Sequence, residues 1–255
     1  MVPGMFLCGF TAAALREYPV GTGTELDADM QLEVAAFAPG RAPRGRGIRG
    51  RKVAPHLAEV VDLDGLAVTT PATTWAMLGR DLSVRELIVL ADAILHVPRD
   101  SRGELHPERA GATREEMQRA IDAGRRIGID RLRAALPQAR TGSASPLETE
   151  YRLDAQFASL PEPDLDVEIR NTRGRLLGIS EIVYPEYRVI VEIEGDHHRT
   201  SRAQWNRDLQ KYRDYADAGW EVVRITSSDI RKKRRATGIV RAVLVRRGWK
   251  ITRFE

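Results

Sequence analysis

The sequence predicts an α/β fold, with a C-terminal core in the order αβββαβα and a smaller mixed α/β, mostly helical N-terminal domain. Three observations carry that expectation. Alternating apolar segments recur between residues 166 and 194 and again at 221–226. Stretches with helical spacing precede, separate and follow them. A small polar segment, "RTGSASPLE", sets this half apart from the first, giving domains at 1–140 and 145–255.

In the first half, residues 9–17 have helical character and "LEVAAFAP" (Leu32–Pro39) reads as a strand. "RAPRGRGIRGRK" places six basic residues among glycines and a proline, without an apolar period, and reads as an exposed loop or hairpin tip. "GLAVTT" is a short strand, and "TPATTWAML" starts a helix with Pro71 in its first turn. In "SVRELIVLADAILH", Ser83 and Glu86 form a capping box, and Leu87, Leu90, Ala91 and Ile94 make one apolar face. Thr113 and Glu116 repeat the box in "TREEMQRAIDAGRRIG", and "IDRLRAALPQA" adds a short helix.

The second half opens with the helix "SPLETEYRLDAQFASL", capped by Ser145 with Pro146 in its first position. "DVEIRNTRG", "LLGISEIVYPE" and "YRVIVEIEG" are three strands joined by short turns, which predicts a meander. "SRAQWNRDLQKYRDYADAGW" is a helix with Trp205, Leu209, Tyr212 and Ala216 on one stripe, ended by Gly219. "EVVRIT" returns after that helix, so it can pair in parallel. "SSDIRKKRRATGIVRAVLVRRGW" is a final serine-capped helix.

Composition narrows the function. Cys8 is the only cysteine, which excludes an internal disulfide and a thiolate zinc cage. No run of apolar residues is long enough to span a membrane, and the N-terminus lacks the basic start of a signal peptide, so a cytoplasmic protein is expected. Formal net charge is +4 and arginine far outnumbers lysine. Such a balance suits phosphate and favours a nucleic-acid partner, although a GC-rich genome accounts for the composition equally well.

The acids carry the chemical signal. Glu192 and Glu194 lie two apart on one strand and therefore project to one face. Glu181 lies on the neighbouring strand, within reach if the two pair through the turn at Pro185 and Glu186, and Glu148 sits in the first turn of the preceding helix. Carboxylates gathered this way repel one another unless a hard cation such as Mg²⁺ or Mn²⁺ neutralises them. Simpler readings exist for each: a capping role for Glu148, and the polar face of an amphipathic strand for the others.

The segments "SPLETEYRL", "GISEIVYPEYRVIVEIEGDHH" and "RDLQKYRDYADAGWEVVRIT" together resemble the PD-(D/E)XK nuclease superfamily, and more specifically its very-short-patch-repair-endonuclease-like domains. The resemblance covers about residues 145–248. Such domains often follow a region resembling a winged-helix antitoxin, which the first half resembles loosely. The resemblance implies a restriction-endonuclease-like core and a metal-dependent DNA endonuclease using Mg²⁺ or Mn²⁺. It puts the superfamily's helix glutamate on Glu148, its strand-two aspartate on Glu181, and its strand-three acid on Glu192. The usual lysine position holds Glu194 instead, leaving His198, Gln204 or Lys211 to activate water or stabilise charge, with Asp208 orienting His198 or joining the ion. DNA contacts are expected from Arg44, Arg46, Arg49, Arg51 and Lys52 in the first basic run, and from Arg231, Lys232 and Lys233 in "RKKRR". Cations opening the final helix would oppose its dipole, a cost a phosphate backbone could offset. The N-terminal domain would position the duplex or bind a protein partner. The alternative is an inert nuclease fold acting as a DNA-binding regulator of antitoxin type, which the lost lysine and the aspartate-to-glutamate change favour.

Overall fold

The computed structural model describes residues 4–20, 31–194 and 202–250, without the side chains of 202–209. The chain divides into two compact units, Met1–Thr141 and Gly142–Glu255. Among the described residues, no helix is long and apolar enough to cross a membrane.

The first unit is mixed α/β. Strands β1 (Met5–Leu7), β2 (Leu32–Phe37), β3 (Ile48–Val53), β4 (Val60–Leu63) and β5 (Leu66–Thr69) form one sheet in the order β3-β2-β1-β5-β4. Helices α1 (Gly9–Ala14), α2 (Pro71–Leu78), α3 (Val84–Leu95), α4 (Arg114–Asp122) and α5 (Ile129–Ala135) complete it. Both predicted capping boxes are present, at Ser83–Glu86 and Thr113–Glu116. Leu87, Leu90, Ala91 and Ile94 are fully buried, as the apolar face of α3 requires, and Trp75 donates its indole N–H to the Leu87 carbonyl at 2.9 Å.

Two expectations for this unit are corrected. It is the larger of the two, and a five-stranded sheet accompanies its helices. The basic segment is also no simple loop, because its second half is β3, paired in parallel with β2 from Leu32↔Ile48 to Phe37↔Val53. The apolar alternation that betrays a half-buried strand is missing because β3 is an edge strand and its inward anchors are cationic. Arg51 and Arg49 reach the Glu33 carboxylate at 2.7 and 3.1 Å, and Glu33 is only 2% exposed.

The second unit runs α6 (Pro146–Phe157), β6 (Asp164–Arg170), β7 (Leu176–Tyr184), β8 (Val189–Glu194), α7 (Arg202–Asp217), β9 (Glu221–Thr226) and α8 (Ala236–Arg246). The three-strand meander is antiparallel and β9 adds in parallel to β8, giving sheet order β6-β7-β8-β9. Alternation splits the sheet's apolar residues between two cores. Ile182, Tyr184, Val189, Val191, Val223 and Ile225 pack with Tyr151 of α6 and with Val240 and Leu244 of α8. Val183, Ile190 and Ile169 pack on the other face with Tyr215 of α7. Each fully buried aliphatic side chain contributes about 1.5–3 kcal/mol, so the sheet is held on both sides.

The predicted stripe on α7 holds at Tyr212 but not at Ala216. Tyr215 is buried and Ala216 exposed, while Tyr212 and Trp220 pack against the Tyr215 cluster; the side chains of Trp205 and Leu209 lie outside the described residues. The last helix also starts later than expected. Ser228–Lys232 forms a π-helical turn, Arg234 takes φ +47°, and α8 begins only at Ala236.

Candidate functional site

Glu148 begins the site. Ser145 caps α6 by accepting the Glu148 amide at 3.3 Å, while the Glu148 carboxylate accepts the Ala144 amide at 2.8 Å. Glu148 is 2% exposed. Burial, followed by the negative charge of Glu181, pushes its carboxyl up to about 7, against the pull of the Ser145 and Ala144 hydrogen bonds. Asp166 on β6 adds to the repulsion. A β7 carboxylate and a β6 carboxylate thus both act on a helix carboxylate.

Asp166 is a member of the site that the sequence motifs do not single out. The alternating acids of "DLDVEIR" are the available signal, since Asp164, Asp166 and Glu168 recur two apart on β6. Asp166 also takes φ +54° inside the strand, a left-handed conformation that aspartate tolerates better than most residues.

Glu181 lies one residue beyond the last rung joining β7 to β8, Ile182↔Val191, and accepts the Ile193 amide at 3.4 Å. Glu192, on β8, turns to α7. Its Oε1 lies 3.0 Å from the Ser180 hydroxyl and 3.1 Å from Lys211 Nζ, which also donates to the Ile179 carbonyl at 3.0 Å. Ser180 is equally 3.0 Å from the Tyr215 hydroxyl. Burial acts to lower the Lys211 pKa, but Glu192, together with Tyr215 and Tyr212, outweighs it and the net shift is upward. Gly178 makes room for this arrangement, since a Cβ there would meet the Tyr215 hydroxyl at 2.5 Å and Lys211 Cε at 3.2 Å.

Glu194 forms an ion pair with Arg224, whose guanidinium lies 5.6 Å from the Tyr212 ring centre. Tyr212 belongs to α7, so Glu192 and Glu194 share the α7 face, as their spacing predicted. The acids nevertheless sort into two sets. Glu181 and Asp166 both oppose the ionised form of Glu148; Glu192 is paired with Lys211, and Glu194 with Arg224. Among the described residues, no three His, Cys, Asp or Glu side chains are grouped as a metal ion would need. His197 and His198 lie outside the described residues, as do the side chains of Gln204 and Asp208.

The candidate DNA contacts divide similarly. Arg44, Arg46 and Lys52 are exposed. Arg51 is only 10% exposed and is held by Glu33 and, at 3.1 Å, by Asp81; Arg49 pairs with the same two acids. In the second run Arg231 makes a two-pronged pair with Glu150 at 2.7 and 2.8 Å, while Lys232 and Lys233 are exposed. The run therefore precedes α8 rather than opening it, and its charge has an internal counterweight. Arg235 donates to Asp229 at 2.6 Å, and the Thr226 hydroxyl, then Arg235, hold that carboxyl down at about 2.

No family profile and no solved structure matches the chain. It is similar to two uncharacterized proteins of Mycobacterium tuberculosis, from strains CDC 1551 / Oshkosh and ATCC 25618 / H37Rv, each 29% identical over 176 residues. The match covers 69% of this chain and 60% of each relative's length.

Proposed function

We propose that the C-terminal unit is a metal-dependent DNA endonuclease with a restriction-endonuclease-like core. The observation that carries this reading is Glu148, a buried carboxylate whose ionised form is opposed by Glu181 and Asp166. Like-charge repulsion at a buried spot calls for positive charge, and oxygen donors of this kind fit a hard divalent cation. The element order α6-β6-β7-β8-α7-β9-α8 and the positions of Glu148, Glu181 and Glu192 support the same assignment.

In this reading Glu148 and Glu181 hold Mg²⁺ or Mn²⁺, with Glu192 at its border and Glu194 behind it. The bound ion would polarise a phosphoryl oxygen and make hydroxide available near neutral pH. Lys211, fixed by Glu192 and the Ile179 carbonyl, supplies the positive charge that the strand lysine would otherwise bring, and it stabilises charge developing on the phosphate. Glu194 is tied to Arg224 and positions that neighbour. His198 is the remaining candidate for proton transfer. The exposed Arg44, Arg46, Lys52, Lys232 and Lys233 contact the DNA backbone, while Arg49, Arg51 and Arg231 act through the acids that hold them. The N-terminal unit serves as a DNA- or partner-binding domain of the winged-helix antitoxin kind.

One observation favours the second reading, a catalytically inert regulator that binds DNA. The lysine position is occupied by Glu194, already neutralised by Arg224. Supercoiled plasmid incubated with Mg²⁺ or Mn²⁺ separates the two. A nuclease nicks or linearises it and loses this on Glu181→Gln and Glu192→Gln. A regulator retards the plasmid without metal and leaves it intact.

A further inference from the structure

The hairpin joining β6 to β7 carries arginines that lie outside both basic runs. Its tip is "RNTRGR", Arg170 to Arg175, and no acid occurs from Ile169 to Ser180. Asn171 fixes the turn. Its side-chain oxygen accepts the amides of Arg173 and Arg175, both at 3.0 Å, and its own amide donates to the Arg175 carbonyl at 3.0 Å. Gly174 supplies the left-handed residue at φ +79°, where a Cβ would meet nothing.

The three guanidiniums are not equally committed. Arg170 is bound to Glu168 at 2.7 Å and to the Gly174 carbonyl at 2.8 Å, so it braces the hairpin. Arg175 is 67% exposed and only loosely paired with Asp214, at 3.6 Å. Arg173 is exposed, and its guanidinium has no hydrogen bond or ion pair among the described residues. A rigid turn thus presents two planar donors to solvent on a backbone held in place by Asn171.

We propose that this hairpin tip is a duplex-DNA contact in which Arg173 and Arg175 clamp backbone phosphates. It rests on the DNA reading of the same unit and deepens it by naming a second point of grip. Arg175 immediately precedes β7, six residues from Glu181, about 20 Å at a strand's rise per residue. That reach equals about six base-pair steps of duplex. A phosphate near the carboxylates and a second under the tip would then fix the duplex axis along the β6–β7 ribbon. Arginine suits this role better than lysine, because its planar fork meets phosphate oxygens two at a time.

The test is fluorescence anisotropy of a labelled duplex with the full chain in EDTA, over a range of salt. Removing one phosphate-binding cation makes the slope of log affinity against log salt shallower by about 0.9, so Arg173→Ala with Arg175→Ala should flatten it by about 1.8. Arg173→Lys should retain most of the slope, and Arg125→Ala, which removes one charge at another exposed arginine, should leave it unchanged. Unchanged slope in the double variant, or an equal loss with Arg125→Ala, overturns the clamp while DNA binding by the protein stands. No binding by the unaltered protein, either in EDTA or with Ca²⁺ in place of Mg²⁺, overturns the clamp together with the endonuclease reading. Asn171→Ala keeps every charge but frees the turn. It should weaken binding less than the double variant, and a stronger effect would overturn the assignment to the two guanidiniums by placing the grip in the turn itself.

Discussion

Glu148→Gln should make the protein more stable at alkaline pH, an unusual outcome for a buried residue. The unfolded chain ionises this carboxyl near 4.5, whereas the fold retains its proton to about 7. Between those values the unfolded state binds fewer protons, so stability falls as pH rises from about 4.5 and levels off above about 7. The gap corresponds to about 3 kcal/mol of cost once the group is ionised. Glutamine keeps an oxygen to accept the Ala144 amide and carries no charge for Glu181 to oppose. Urea denaturation at a series of pH values should therefore show a difference near zero below about pH 4.5, rising to a gain of about 2–3 kcal/mol above about pH 7. Added Mg²⁺ should stabilise the unaltered protein above about pH 7, by about 2.7 kcal/mol at roughly a hundredfold excess over its dissociation constant, and should do far less for Glu148→Gln. A loss of stability in the variant at about pH 8.5 as large as that at about pH 4.5 would refute the reasoning, because it would mean that Glu148 is favourably paired when ionised.

Three further experiments probe the surrounding structure. Arg51→Ala leaves Glu33 buried with only Arg49 and backbone donors, and should cost about 3 kcal/mol in chemical denaturation; adding Glu33→Gln should recover much of it. In a double-mutant cycle, Lys211→Met and Glu192→Gln should couple by about 1–2 kcal/mol, less than a fully buried pair because Lys211 is 25% exposed; zero coupling would show that the ion pair contributes nothing. Gly178→Ala should cost about 1–3 kcal/mol through overpacking against the Tyr215 hydroxyl, and Tyr215→Phe should relieve part of that cost.

How far each residue is legible in the sequence depends on how it is held. The second unit is readable because its strands are buried on both faces or bounded by short turns, so that Ile182, Val183, Ile190 and Val191 announce themselves. The spacing of Glu192 and Glu194 likewise settles their face, because strand alternation leaves no freedom. By contrast, β3 is hidden. Its arginines look like solvent residues until Glu33, far along the chain and itself buried, is seen to draw them inward. The strand β1 is three residues long, too short for a period to emerge. On α7, Tyr212 and Ala216 satisfy a helical spacing as well as Tyr215 does, and only packing against Val183 and Ile190 chooses between phases. Asp166 is hidden for a related reason: its importance comes from its effect on Glu148, eighteen residues earlier, which no local pattern encodes.

In the proposed metal-dependent reading, the carboxylates make different demands on a cation. At Glu192 a divalent ion competes with Lys211, already seated at 3.1 Å and supported by the Ile179 carbonyl. At Glu194 it competes with Arg224. At Glu148 the arriving ion instead removes a repulsion, since burial, Glu181 and Asp166 all oppose the ionised carboxylate. Displacing a resident cation cancels most of the Coulombic gain, whereas relieving like charges adds to it. In the proposed metal-dependent reading the ion would therefore sit beside Glu148, with Glu192 meeting it from a side where Lys211 has set the balance. On this ground Lys211→Met should tighten Mn²⁺ binding in calorimetry if Glu192 reaches the ion, and leave it unchanged if Glu148 and Glu181 bind it without Glu192.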